Sequence, residues 1–321
     1  MNKQKGKLLL KIFLAIFIII IVAIIVSFFW IHSKLSNVQY ETLNKADLGI
    51  DSSFYQNATS NLQEAEFPET KKVVFFGTDS RDPDNFYSGR SDTIMIASIN
   101  TKSKSIKLIS IPRDTYVNIP DYGMDKINHA YAYGQEQLSI KTINSNFGLD
   151  IEEYITIDFS GLTNIINQVG GVVVELNSEE VAFINERSST KIEGTGKILL
   201  NGEQALIHSR NRYVGNDFYR TARQRDILIA LLNKLSEQDL STLLSLSNEF
   251  LKQVKTNINV SECISYGIKA FSEKDTYLSN ITSIQIPSTE YSEGKYINGI
   301  YYFTTDLEKA KEEFQKYLYE N

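Results

Sequence analysis

The chain has 321 residues, of which 42% are hydrophobic, and a formal net charge of -6 at pH 7. This length suffices for one large domain with a full hydrophobic core. The negative charge disfavours nucleic acid as a partner, because its phosphate backbone would be repelled. A single cysteine, Cys263, excludes internal disulfides, and three histidines are too few and too dispersed for a recognisable zinc site.

The N-terminal region has the pattern of a membrane anchor. Residues 12–30 carry no charge, and an apolar helix of this length spans a hydrocarbon core of roughly 30 Å. The run lacks a small-residue cleavage site, so we expect it to be retained. Lysines without acidic residues precede it, which predicts a cytoplasmic N-terminus and an exported remainder. The predicted organisation is a basic cytoplasmic tail at 1–11, a transmembrane helix at 12–31, an extracytoplasmic stalk at 32–70 and one domain at 71–321, with its motifs in 71–235.

Strand and helix patterns alternate along the rest of the chain. A predicted strand at 72–76 leads to a charged loop, and a predicted hairpin at 93–99 and 105–111 leads to a second one. The remaining predicted elements are a turn at 121–123, a helix after residue 126 with Asn128 or Ser139 as its cap, a strand at 154–159, a helix at 161–169, a strand at 172–176, helices at 202–209, from Asp217, at 240–254 and at 261–271, a strand at 281–287 and a helix at 306–317. This alternation favours an α/β fold.

Two aspartates stand at the ends of the first charged loop. Asp79 follows the first strand and Asp92 precedes the second, so their carboxylates reach one cation if the loop folds back. Carboxylates without histidine favour Mg²⁺ or Mn²⁺. The alternative is that both are turn or cap residues, as aspartate commonly is. The neighbouring Arg81, Arg90 and Arg113 favour the metal site, since divalent ions and guanidinium groups together stabilise the charge of phosphoryl transfer.

The stretch 200–226 is rich in arginine. From Asp217, a candidate N-cap, the sequence predicts a helix with basic groups on one face and an apolar continuation below them. Planar guanidinium groups at a helix start suit a multiply charged phosphate. The alternative is a solvated basic helix face, but arginines grouped into motifs in an acidic chain favour a pocket. The predicted anion-binding residues here are Arg210, Arg212, Arg220, Arg223 and Gln224.

Several of these motifs together resemble one protein family. They are GTDSR, GRSDT, SIPRDTYV, KINHAYAYG, VGGV, LNGEQALIHSRNR and DFYRTARQRD, in that order, over residues 71–235. In sequence and spacing they are similar to the LytR-CpsA-Psr family. The resemblance implies an α/β/α sandwich around a mixed sheet, outside a Gram-positive cell. It also implies transfer of a phosphoglycan (capsule, teichoic acid or another wall polymer) from a polyprenyl pyrophosphate carrier to peptidoglycan.

The resemblance also implies roles for individual residues. It matches Asp79 and Asp92 to metal-associated acids, Asp217 to an acid before the arginine helix, and a pyrophosphate clamp to Arg90, Arg113, Arg210, Arg212, Arg220 and Gln224. The predicted catalytic set is Arg90, Asp92, Arg113, Asp114, Arg210, Arg212, Asp217 and Arg220, with Asp92 or Asp114 accepting the sugar hydroxyl proton. The predicted substrate-binding set is Arg81, Arg113, Arg210, Arg212, Arg220, Arg223 and Gln224, and the predicted metal ligands are Asp79 and Asp92.

Three further interpretations remain open at the level of sequence. The apolar faces of the helices at 160–169 and 227–251 would either line a lipid channel or form ordinary core. A pyrophosphatase activity would accompany transfer if water replaced the acceptor. The protein would otherwise be a non-catalytic lipid-pyrophosphate sensor, or a transcriptional regulator, which needs a cytoplasmic basic recognition helix that the sequence lacks.

Overall fold

The computed structural model of the chain describes residues 39–50, 70–79, 89–213, 217–259 and 271–319. The predicted cytoplasmic tail, the predicted transmembrane helix, most of the predicted stalk and all but the last residue of the predicted helix at 261–271 lie outside the described residues. Among the residues that are described, no helix has the length and apolar character needed to cross a membrane.

Strands and helices alternate, as the sequence predicts. In chain order the strands are β1 (Gln39–Tyr40), β2 (Thr70–Thr78), β3 (Ser91–Asn100), β4 (Ser105–Ser110), β5 (Tyr116–Ile119), β6 (Gly123–Lys126), β7 (Glu153–Asp158), β8 (Val172–Leu176), β9 (Gly196–Leu200), β10 (Val254–Thr256), β11 (Ile281–Gln285), β12 (Ser292–Ile297) and β13 (Ile300–Thr305). The helices are α1 (His129–Phe147), α2 (Phe159–Gln168), α3 (Ser178–Arg187), α4 (Gly202–Ser209), α5 (Asp217–Ser236), α6 (Leu240–Lys252), α7 (Lys274–Ser279) and α8 (Leu307–Tyr319).

A seven-stranded mixed sheet forms the centre, in the order β1-β10-β7-β2-β3-β4-β11. The pairs β2 with β3 and β3 with β4 are antiparallel, whereas β2 with β7 and β4 with β11 are parallel. Three two-stranded sheets stand apart from it, formed by β5 and β6, by β8 and β9, and by β12 and β13. The predicted mixed α/β sheet is therefore confirmed.

Helices cover both faces of the sheet because its central strands are apolar on both sides. Successive side chains of a strand point to opposite faces. Phe76 of β2 packs with α1 and α8, and its ring centroid lies 5.5 Å from that of Tyr131. Phe75, its neighbour, packs on the other face near Leu228 of α5. Burial of one such aromatic side chain contributes roughly 1.5–3 kcal/mol, so both helical layers are held by the same strands.

Apart from the helix predicted at 261–271, which lies outside the described residues except for its last residue, the predicted elements of the domain occur with small shifts of their ends, and α4 spans the residues predicted for it. The helix expected after residue 126 begins at His129, after Asn128, whose side chain makes no capping hydrogen bond. Ser139 lies inside this helix, which bends where Gly134 and Gln135 leave helical geometry. Helix α3 and the hairpin of β12 and β13 were not predicted from the sequence.

Candidate active site

The two predicted metal ligands lie at one edge of the sheet. Thr78, the last residue of β2, pairs with Ser91 of β3 and with Asp158 of β7. Asp79 follows this pair directly, and Asp92 is the second residue of β3. Charged side chains therefore collect where three central strands meet.

Arg113 joins Asp92 to a second acid. The chain leaves β4 at Ser110, and Pro112 ends the strand pairing because it has no backbone N–H. Arg113 Nη1 then donates to Asp92 Oδ1 at 2.5 Å, while Arg113 Nε lies 3.5 Å from Asp114 Oδ2. Both pairs are mostly shielded from water, so the three side chains form one charged row.

Asp114 is held in its ionised form. Lys126 Nζ donates to Asp114 Oδ1 at 2.7 Å. Burial alone would raise the pKa of Asp114, but the Lys126 hydrogen bond and the charges of Arg113, Lys126 and Arg220 outweigh it, so the pKa lies below its usual value. The charge of Arg220 acts on Asp114, so the first turn of α5 lies close to this row.

Arg210 connects the arginine-rich stretch to the first charged loop. It is the residue after α4, and its Nη2 donates to Asp79 Oδ2 at 3.0 Å. Its guanidinium carbon also lies 4.8 Å from the ring centroid of Phe159, a favourable arrangement for a cation over an aromatic face. The side chain of Arg210 is 47% exposed, so it remains accessible to a ligand.

Arg223 forms its hydrogen bonds with other residues of the same chain. Its Nε donates to Glu180 Oε1 of α3 at 2.7 Å, and its Nη1 donates to the backbone oxygen of Asn211 at 3.1 Å. The two side chains are 7% and 11% exposed. Asn211 lies between Arg210 and Arg212, so this geometry places Arg223 behind the predicted site, supporting its backbone.

The remaining predicted site residues differ in how deeply they are buried. Arg220 is buried, Arg90 and Arg212 are exposed, and Gln224 lines the apolar cavity described below. Helix α5 begins at Asp217, which was predicted as its N-cap, and residues 214–216 lie outside the described residues. Arg81, a predicted substrate-binding residue, also lies outside them.

Two residues of this site, Lys126 and Glu180, were not predicted from the sequence. Lys126 belongs to the motif KINHAYAYG, but nothing in its spacing indicated a contact with Asp114. Glu180 has a local signal, since it completes a capping box with Asn177 at the start of α3. Its second partner, Arg223, is 43 positions away in the chain.

The two predicted metal ligands suit a magnesium ion only in part. Asp79 is paired through Oδ2 and Asp92 through Oδ1, and each carboxylate has a second oxygen. Mg²⁺ commonly uses one or two carboxylates together with water and substrate phosphates. Within the described residues, no group of three or more histidine, cysteine, aspartate or glutamate side chains forms a complete site. The donors therefore fit a metal that is completed by substrate phosphates.

An apolar cavity of about 100 Å³ lies beside the charged row. The sheet contributes Phe75 and Met95, and α5 contributes Ile227 and Leu228. Polar groups at its wall include Asp158 and Gln224. This volume is below the roughly 300–1,000 Å³ of pockets for whole drug-sized ligands, so the cavity has room for a short apolar segment of a ligand.

The sequence matches the LytR_cpsA_psr family over residues 32–318. A protein of Enterococcus faecalis named polyisoprenyl-teichoic acid--peptidoglycan teichoic acid transferase TagU is 33% identical over 238 residues, which cover 73% of this chain and 73% of that protein. Among solved structures, TagT bound to LIIa-WTA has a TM-score of 0.65 at 28% identity, covering 80% of this chain and 94% of that one. The family protein YwtF (TagT) with bound octaprenyl pyrophosphate lipid has a TM-score of 0.61 at 27% identity, covering 80% and 94%.

Proposed function

The chain belongs to the LytR-CpsA-Psr family, and on that premise we propose that it transfers a phosphoglycan from a polyprenyl pyrophosphate carrier to peptidoglycan. One observation carries the proposal. A row of paired arginines and aspartates lies directly beside an apolar cavity, with Arg113 on Asp92 and Arg210 on Asp79. Such a site suits a ligand with a charged pyrophosphate and a hydrocarbon tail. Teichoic acid is the favoured polymer, because the compared relatives are named for it.

The apolar cavity supplies the place for the start of the lipid tail. It lies between the sheet and α5, and Gln224 stands on its wall one turn beyond Arg220. A relative with this fold is described with a bound octaprenyl pyrophosphate. We assign the predicted lipid channel to this cavity, with the pyrophosphate towards Arg210 and Arg113.

The proposed reaction is one displacement at phosphorus. A hydroxyl oxygen of the acceptor glycan attacks the phosphorus that carries the donor glycan, and the bond from this phosphorus to the bridging oxygen breaks. Polyprenyl phosphate leaves, and a phosphodiester joins donor glycan to acceptor. The hydroxyl proton passes to a carboxylate, for which Asp114 is well placed, and then to water.

The guanidinium groups stabilise the charge that moves onto the leaving phosphate. Arg113 and Arg210 already lie within hydrogen-bonding distance of acids, so an incoming phosphate competes with Asp92 and Asp79 for them. A Mg²⁺ or Mn²⁺ ion held by those two acids would neutralise phosphate charge. The acids would then turn from arginine partners into metal ligands, while the arginines turn to the phosphates.

We further propose that residues 12–31 anchor the protein in the cell membrane and that residues 71–321 lie outside the cell. The uncharged run and the lysines before it support this orientation. A domain held at the outer face of the cell membrane would meet both a lipid-linked donor and the cell wall. Protease added to intact protoplasts should digest the domain, and complete protection would overturn this topology.

The test of transfer is a reconstituted reaction with the full chain in detergent. Lipid-linked teichoic acid precursor, peptidoglycan oligosaccharide and Mg²⁺ should yield a glycan joined to the oligosaccharide and free polyprenyl phosphate. Asp79→Asn and Asp92→Asn should abolish the metal dependence and most of the rate. If the unmodified protein binds the precursor but cleaves it under no acceptor or metal condition, it is a sensor and the proposal fails. Full activity in excess chelator would exclude a metal ion from the proposed mechanism.

A further inference from the structure

A second cavity has Asp114, a member of the charged row, in its wall. It has a volume of about 220 Å³, below the roughly 300–1,000 Å³ of pockets for drug-sized ligands. Its lining consists of Pro112, Asp114, Phe218, Gln285, Thr289, Ser292, Glu293, Gly294, Tyr301 and Phe303. The hairpin of β12 and β13 therefore forms one part of its wall, and Phe218 in the first turn of α5 contributes another.

The chemistry of this cavity differs from that of the phosphate site. Its described lining has aromatic rings, hydroxyl and amide groups and two carboxylates, but no basic side chain. The carboxylates disfavour an anion. Aromatic faces pack against apolar ring faces, and hydroxyl and carboxylate groups hydrogen-bond to hydroxyls. This combination suits an uncharged sugar ring.

The hairpin is fixed to the catalytic loop. Phe303 N donates to the backbone oxygen of Asp114 at 2.8 Å, and Thr115 forms a parallel bridge with Phe303. Tyr116 follows Thr115 and Tyr302 precedes Phe303, and the rings of these two tyrosines lie 4.6 Å apart. These contacts hold the hairpin wall of the cavity in a fixed position relative to the loop that carries Asp114.

Another part of the wall is fixed to the arginine helix. Thr221 Oγ1 of α5 donates to Gln285 Oε1 at the end of β11, at 2.7 Å. Phe218 precedes Thr221 by three residues and is 39% exposed, and Arg220 lies between them. Because a helix rises 1.5 Å per residue, Phe218 and Gln224 are separated by about 9 Å along the axis. The two cavities thus lie along one helix with Arg220 between them.

The ring of Tyr301 shapes the hairpin wall. It lies over Gly294 of the paired strand, since a Cβ at Gly294 would meet Tyr301 Oη at 2.7 Å. Any side chain at Gly294 would displace the ring. Tyr301 nevertheless remains 38% exposed, so the ring has a surface that a ligand can cover.

We propose that this cavity is the subsite for the acceptor sugar, an uncharged hexosamine ring of the peptidoglycan strand. The inference rests on the proposed function. Asp114 in the lining favours the acceptor sugar over the donor sugar as the occupant of this cavity. The attacking hydroxyl of the acceptor needs a proton acceptor within hydrogen-bonding reach, whereas the donor sugar does not. Phe218 and Tyr301 bind the ring and present one hydroxyl to Asp114, which faces the phosphate site through Arg113.

Kinetics with the full chain separate acceptor binding from donor binding. Phe218→Ala and Tyr301→Ala should each raise the KM for peptidoglycan oligosaccharide about fivefold to tenfold, the scale of one aromatic contact. The Kd for the lipid-linked donor should stay within about twofold. Tyr301→Phe keeps the ring and should restore most of the loss. Ile300→Ala, on the opposite face of the same hairpin, is the matched control and should leave both constants unchanged.

Direct binding keeps this inference separate from the proposed function. The oligosaccharide alone, titrated onto wild type and variants and followed by ligand-observed NMR, should bind wild type and Ile300→Ala but not Phe218→Ala or Tyr301→Ala. If wild type binds it yet never transfers, the subsite holds and the proposed function fails. Unchanged acceptor KM and binding in variants whose thermal unfolding matches wild type would overturn the subsite. A higher donor Kd with unchanged acceptor KM would assign the cavity to the donor sugar instead and overturn it also.

Discussion

The buried pair of Arg223 and Glu180 makes a quantitative prediction about how the site is supported. Their side chains are 7% and 11% exposed and meet at 2.7 Å. Arg223→Met would leave the Glu180 carboxylate buried without its cation, and removing one partner of such a pair costs about 3–5 kcal/mol. The change also removes the hydrogen bond to Asn211 O, so the backbone that carries Arg210 and Arg212 loses its support.

Urea unfolding followed by circular dichroism measures this cost. With an m value of about 3 kcal/mol per M for a domain of this size, the midpoint should fall by about 1 M or more. The matched control is Arg187→Met on α3, whose pair with Glu186 is exposed and should contribute about 1 kcal/mol or less. The double variant Glu180→Gln with Arg223→Met should be less destabilised than the sum of its single changes.

A stabilising role for the pair of Arg223 and Glu180 is excluded if Arg223→Met lowers the free energy of unfolding no more than Arg187→Met does. It is also excluded if the effects of the changes at Glu180 and Arg223 are additive. Activity gives an independent check. Arg223→Lys keeps the charge but loses the planar fork that reaches Glu180 and Asn211 together. We expect this variant to remain folded at 25 °C with a lower kcat and a nearly unchanged donor Kd, because it moves Arg210 and Arg212 without removing either of them.

Three further predictions concern single side chains. Lys126→Met removes the hydrogen bond that lowers the pKa of Asp114, so this pKa rises and the acidic limb of the kcat profile should move to higher pH; an unmoved limb would exclude Asp114 as the titrating group. Leu228→Trp fills the apolar cavity that we assign to the start of the lipid tail, so it should weaken binding of a long-chain and of a two-isoprene prenyl pyrophosphate while inorganic pyrophosphate binds as before; unchanged binding of the prenyl compounds would place the tail elsewhere. Burial lowers the pKa of His208 from 6.5 to about 4, so the folded state favours the neutral ring. The contribution of His208 to the free energy of unfolding is therefore fully present above pH 6.5 and should decrease as the pH drops towards 4. Comparing urea midpoints of wild type and His208→Gln across that range should show a flatter profile for the variant.

Local signals predicted the central strands β2, β3 and β4 and the helices α4 and α5 of the site. The apolar run of β2 and the alternation of β3 and β4 are properties of neighbouring residues, as is the cap of α4, where Asn201 and Gln204 form a capping box. The direction of Arg223 could not be predicted in this way. Its position on α5 is compatible with a ligand, and the decisive partner, Glu180, comes from a distant helix.

The hairpin of β12 and β13 was missed although its turn is encoded locally. Asn298 and Gly299 have φ values of 52° and 79°, the left-handed pair that a two-residue hairpin turn requires, and an Asn-Gly pair between apolar residues is a strong signal for it. The arginine-rich stretch in the middle of the chain favoured a prediction of phosphate chemistry there. A transfer reaction has two substrates, however, and an arginine pattern reports one of them.

Under the proposed function, the position of Asp114 explains how one loop would serve both substrates. Its side chain faces Lys126 and Arg113, while its backbone oxygen accepts from Phe303 of the hairpin. An acid placed in the phosphate row alone would be close to the donor but without a fixed relation to the acceptor. Because Asp114 is hydrogen-bonded both to Phe303 of the hairpin and to Lys126 beside the charged row, an acceptor hydroxyl bound against the hairpin would be presented to that row at a set distance. Such positioning accounts for much of the rate gain in transfer reactions, and here it depends on β13, which lies outside the motifs that identify the family.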